Sequence, residues 1–335
     1  MRKYGALALT LGAVLGLSAC ATVEEVPKPV AATIDARQAI STERLAQVQE
    51  TIFDSVEKAD AKLDPALLAD RTTGPFTQMR GSEYKLKKIL ADSFALERLS
   101  AVAQQTAISP AESYPHTALS VMEAPQGTNL PTINVFQQAS ARDNWKLWGA
   151  MPILPGATVP ALTINKDGAA LVDPMSKDGL VASPQDVLAA YVAVNGGGDT
   201  KGLTFAEDNL RKKLTATKDT NTEVVKGAGE AKMTFTPSKT PVVSFVADDG
   251  GALVVGQMDF DTQIKVTTAG SKIKLGSNIG TLATGKASGE IEVSGTLTAD
   301  YTVLVAFHVP AADSKDKTIK AVGATDPLLL SVTNG

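Results

Sequence analysis

Ile291 to Val309 reads IEVSGTLTADYTVLVAFHV, and its alternation decides the fold. The odd positions carry Ile291, Val293, Leu297, Tyr301, Val303, Val305, Phe307 and Val309. The even positions include Thr298, Asp300, Thr302 and His308. A period of two over such a span predicts a strand with one buried and one wet face, the habit of an antiparallel sheet. Val254 to Val266 behaves the same way, with Val254, Met258, Phe260, Ile264 and Val266 in register. Both runs exceed the usual strand length of about 3–10 residues. The sheet is therefore expected to bend, with Gly256 and Gly295 as bend sites. Asp249-Gly250 marks a hairpin turn before the first of them.

Helical patterns precede these strands. Ser183-Pro184-Gln185-Asp186 reads as an N-cap, a proline at the first helical position and an acidic residue at the third. The helix it opens is expected to stop at Gly196-Gly197-Gly198. Thr204 to Glu207 reads as a second capping box, opening a helix to about Leu214. Residues 276–289, GSNIGTLATGKASG, are glycine-rich and are expected to form a long mobile loop at one rim.

The first half repeats this order. Leu45, Val48, Ile52, Val56, Ala59 and Leu63 recur at spacings of three and four, one apolar stripe on a helix. Asp64-Pro65 opens a short helix that Gly74-Pro75 is expected to break. Ser82 to about Leu96 is helical again. After Ser109-Pro110 the period changes to two, and strands are predicted at 118–122, 133–137 and 144–153. In the last, Trp145, Leu147, Met151 and Ile153 are expected on one face and Trp148 on the other. The stretch 164–180 has two Lys-Asp-Gly turn signals and reads as a connection.

At the N-terminus, Arg2 and Lys3 precede an uncharged apolar run from Ala6 to Leu17. The run is too short to span a bilayer, which takes about 20 residues. It describes an export signal. Leu17-Ser18-Ala19-Cys20 resembles the bacterial lipobox, which is cut just before its cysteine. Cys20 is the chain's single cysteine. Its sulfur is the nucleophile that a thioether to diacylglycerol requires, and two acyl chains suffice for stable anchoring. Residue 21 is Ala, so the Asp that retains such proteins at an inner membrane is absent. Ala21 to Ile34, with two prolines, reads as a tether.

The expected organisation is a signal at 1–19, lipidated Cys20 and tether at 20–34, an α+β domain at 35–165, a linker at 166–181 and a second α+β domain at 182–335. The 335 residues fit two domains at about 100–200 each. There are 32 Lys and Arg against 36 Asp and Glu. Losing Arg2 and Lys3 with the signal makes the remainder more acidic, which excludes nucleic acid as a partner.

Helices followed by a curved meander, twice over, resemble tandem NTF2-like or cystatin-like α+β cones. With the lipobox and the stretch DNWKLWGAMPILPGATVPAL (Asp143 to Leu162), the chain resembles exported actinobacterial lipoproteins of uncharacterised function. The resemblance implies an envelope location and a fold, and no catalytic residues.

Chemistry-bearing residues are sparse. The two histidines read as a loop residue (His116) and a rim residue (His308), too few for the three or four ligands of a zinc site. Asp259 and Asp261 share a strand face that reads as solvated. Asn195-Gly196-Gly197-Gly198-Asp199 lacks the Lys-Ser/Thr of a phosphate loop and follows a helix, so it reads as a C-cap. No cofactor or metal is expected. The expected role is a non-enzymatic binding or assembly module held at the outer face of the cell membrane by lipid on Cys20. Its partner would be an envelope protein, a glycan or a small apolar ligand, met by Trp148, Trp145 and the Ser277–Thr284 stretch. Two rivals stand beside it: a cone-fold hydrolase or isomerase with an Asp/His pair, which needs His116 buried near a carboxylate, and a structural spacer.

Overall fold

The computed structural model describes residues 37–335; the expected signal at 1–19, the expected lipidation of Cys20 and the expected tether at 20–34 lie outside the described residues. The long strand of the opening stretch is β12 (Thr296–Val309), paired antiparallel along its whole length with β9 (Ala252–Val266). The ladder runs without a break from Thr296 opposite Lys265 to Val309 opposite Ala252. β7 (Gly229–Pro237) and β8 (Val243–Val246) pair with the other edge of β9. The free edge of β12 is covered in two pieces, by β13 (Lys320–Ala324) and by β14 (Leu328–Asn334).

This sheet is not wet on one face. Val303, Val305 and Phe307 pack under α3 (Pro184–Gly196) and α4 (Asn209–Val224), as the alternation predicts. Leu304 and Ala306, on the even register, are also fully buried, with Leu253 and Val255 beside them. They meet the chain's first sheet, β1 (Ala103–Ile108), β2 (His116–Met122), β3 (Thr132–Gln138) and β4 (Lys146–Pro152), joined in simple sequence order. Leu119, Val121, Ile133 and Val135 supply the facing side chains. The other side of that sheet packs under α1 (Thr42–Lys62) through Leu45, Ile52, Val56 and Phe136. The layers therefore run helix, sheet, sheet, helix. α2 (Gly74–Leu90) contributes to both clusters of the first half. The fold is α+β, and residues 36–335 form one compact unit.

Several elements differ from expectation. Gly74-Pro75 opens α2 instead of breaking a helix. Gly74 holds φ +54°, and proline suits the first turn because it lacks an N–H that would have no partner there. A Cβ on Gly74 would come 2.9 Å from the Trp148 ring, so the residue must also be small. α4 starts later than the capping box at Thr204 predicts. Its N-cap is Asp208, whose carboxylate accepts from Arg211 N at 2.8 Å. The capping box at Ser183 is present, with Ser183 Oγ accepting from Asp186 N at 3.1 Å.

The 164–180 stretch, read as a connection, is built into the fold. It carries a small hairpin, β5 (Ile164–Asn165) and β6 (Gly168–Ala169). Leu171 bridges to Phe245 of β8, and Leu162 to Ala247 just after it. The glycine-rich 276–289 stretch is not a loop. It contains helix α5 (Ser277–Thr284), flanked by the paired strands β10 (Ile273–Leu275) and β11 (Ile291–Val293).

Candidate functional site

The covering of β12 changes hands between β13 and β14. Thr325 fills the interval: its N–H donates to Leu304 O at 3.0 Å and its Oγ1 accepts from Leu304 N at 3.0 Å. Beside this break lies a groove of about 790 Å³. α2 supplies Phe76, Met79 and Leu86, α4 supplies Leu214 and Val224, and Ser277 to Ile279 of α5 close one end. Its floor includes Phe260 and Tyr301, whose rings stack with centroids 4.8 Å apart and planes 5° from parallel. Burial pushes the Tyr301 phenol up to about 12.

The arginine in the wall is already engaged by carboxylates. Arg80, 3 % exposed, donates from Nε and Nη2 to the two oxygens of Asp60 at 2.9 and 2.7 Å. Its Nη1 reaches Glu83 Oε2 at 2.8 Å, and Nη2 also reaches Glu97 O at 2.7 Å. Tyr84 Oη donates to the same Asp60 at 2.6 Å. Four of its five guanidinium N–H groups are used within the protein, which leaves a ligand at most one donor. What the groove presents is apolar surface with a polar rim, the usual make-up of a small-molecule site.

Of the residues singled out from sequence, Ser277 lines this groove. Thr284 ends the same helix, and its Oγ1 donates to Gly280 O at 2.7 Å. Trp148 is a core side chain, 4 % exposed, packed among Leu119, Ile133 and Leu304. Trp145 is buried against α1 at 6 % exposure. Neither borders the groove. Their faces differ as predicted, but Met151 lies with Trp148 rather than with Leu147. The cause is a register shift in the β3–β4 pairing, which sets Val135 opposite Gly149 and Phe136 opposite Leu147.

His116 is not a loop residue. It begins β2, is 5 % exposed and stacks on Tyr114. Its ring nitrogens lie 3.3 Å from Gln138 Oε1 and 3.3 Å from Ala111 O, an amide and a carbonyl rather than a carboxylate. His308 has the carboxylate partner instead. Its Nε2 lies 2.8 Å from Asp249 Oδ2 on the β8–β9 turn, close but off the direction of a hydrogen bond. The pair opens on a separate cavity of about 600 Å³ that Glu207, Asp248 and Lys320 also line. Asp259 is not simply solvated: it accepts from Thr302 Oγ1 at 2.7 Å, in a network with Gln257 and Gln78 of α2. Asp261 faces Asp300 across the ladder. Burial, then the Asp300 charge, push its carboxyl up. The glycine run after α3 is a C-cap, with Gly197 in the left-handed region.

The groove's main walls come from helices whose apolar stripes are readable, but their meeting at a strand break is a long-range event. The available local signal was in α5: Ile279 and Leu282 stand three apart, and Gly285 caps the helix.

Fold and site together define a layered α+β protein with an apolar groove at a break in its sheet edge. The chain belongs to the family described as Domain of unknown function (DUF8094), whose model matches residues 36–326. No curated protein and no solved structure matches it. Among the described residues no helix is long and apolar enough to cross a membrane.

Proposed function

We propose that the protein is a lipid-anchored envelope protein that binds a small apolar ligand in the groove, without catalysing its conversion. The groove carries this reading. Its volume of about 790 Å³ falls in the range of ligand pockets, about 300–1,000 Å³. Arg80 is paired with Asp60 and Glu83, and Lys213 with Asp326, so apolar burial is the main source of ligand affinity. The lipobox at Cys20 supports the location. Kinship with tandem NTF2-like or cystatin-like cones belongs to the same proposal, supported by helices preceding antiparallel strands in each half. Asn278→Trp at the groove mouth is expected to abolish binding of a fluorescent fatty acid while leaving the far-UV spectrum unchanged. Equal binding by both proteins would remove the groove reading and leave the spacer role in its place. For the anchor, Cys20→Ser is expected to move the protein from the membrane to the soluble fraction, with diacylglycerol missing from the N-terminal peptide. An unchanged fractionation sinks the anchor.

One observation favours a hydrolase reading as the rival: the 2.8 Å approach of His308 to Asp249 at the edge of a cavity. An imidazole beside a carboxylate is the start of a general-base arrangement. It predicts nitrophenyl ester hydrolysis that His308→Gln abolishes. Hydrolysis no faster than buffer dismisses it.

A further inference from the structure

The groove has a neighbour. A second cavity of about 400 Å³ lies between the ends of the first sheet and the start of α4. Leu130, Ile153, Leu154 and Leu210 make much of its wall. Glu97, Lys213, Thr325 and Asp326 line both spaces. Across that divide Lys213 Nζ on α4 reaches Asp326 Oδ1, beside the strand break, at 2.6 Å. The two side chains are 52 % and 79 % exposed. Water competes for both charges of such a pair, so it holds weakly. The shared wall carries one cation and two carboxylates, with Arg98 adding a second cation on the far side. These balance, and nothing there selects a charged ligand.

We propose that the groove and this cavity are two chambers of one site, which takes a single extended acyl-type chain, and that the Lys213–Asp326 pair is the gate between them. The inference rests on the groove being a ligand site. A compact ligand fills the groove and gains nothing from the second chamber. An extended chain crosses the divide and buries further methylenes in an apolar wall, each removed from water in turn.

The test is calorimetric titration of the Cys20→Ser chain, which carries no lipid, with saturated fatty acids lengthened two carbons at a time. Affinity is expected to rise about fourfold per methylene and to go on rising for tails longer than the groove alone accommodates. Thr128→Trp, on the exposed rim of the second cavity, should leave short tails unaffected and stop the gain at a shorter length. Lys213→Ala should tighten long tails and not short ones. A plateau at the same length in wild type and Thr128→Trp overturns the two-chamber site and leaves the groove standing. Absence of binding at every length overturns both.

Discussion

Arg80 shows how one residue ties the site to the stability of the protein. It donates four hydrogen bonds, to Asp60, Glu83 and the Glu97 carbonyl, and its charge is buried. Arg80→Ala leaves two carboxylates facing each other at the groove wall. Removing one partner of a buried pair costs about 3–5 kcal/mol, and urea unfolding should show a loss of that order. Glu83 adds a pH dependence. Burial pushes its carboxyl above the ordinary 4.5, against the pull of Arg80. The folded protein therefore holds that proton more tightly than the unfolded chain. The contribution is fully present below 4.5 and is lost as pH rises through the folded value. Stability of the wild type relative to Glu83→Gln is expected to fall as pH rises across that window. Urea midpoints over a pH series that show a rising or constant difference contradict this.

At the scale of elements, β9 and β12 were legible because their apolar residues alternate over a long span. Their second buried face was not. Leu304 and Ala306 stand on the polar register among Thr298, Asp300, Thr302 and His308. Only the arrival of the first sheet, distant in sequence, makes those two positions core. The two readings separate in one variant. Leu304→Ala is expected to cost about 2–5 kcal/mol, as for a buried leucine, measured by thermal or urea unfolding. A cost near zero means the face is wet and the sheets do not stack. Trp148, expected as a contact residue, is buried for the same reason, since the face opposite Leu147 is covered by the sheet of β9 and β12 and not by solvent. α5 was hidden by glycines, two of which serve close packing: a Cβ on Gly280 would come 2.2 Å from Gly289 O. Gly280→Ala should therefore open the end of the groove and weaken ligand binding, with the overall unfolding midpoint as its control.

For the whole molecule, the order of helices then strands was readable in each half, and the joining of the halves was not. Leu253, Val255, Leu304 and Ala306 from one half share a cluster with Leu119, Ile133 and Val135 from the other. Such a core predicts one cooperative unfolding transition across residues 36–335, with calorimetric and van't Hoff enthalpies equal. Two resolved transitions contradict it. The groove belongs to this scale too, since its walls come from α2, α4, α5 and the break between β13 and β14. The most direct measurement of the account is hydrogen exchange of the protein with and without a saturated fatty acid. The account predicts added protection in α2, in α4 and across residues 274–279. Protection confined to the cavity beside His308, or no change anywhere, contradicts it.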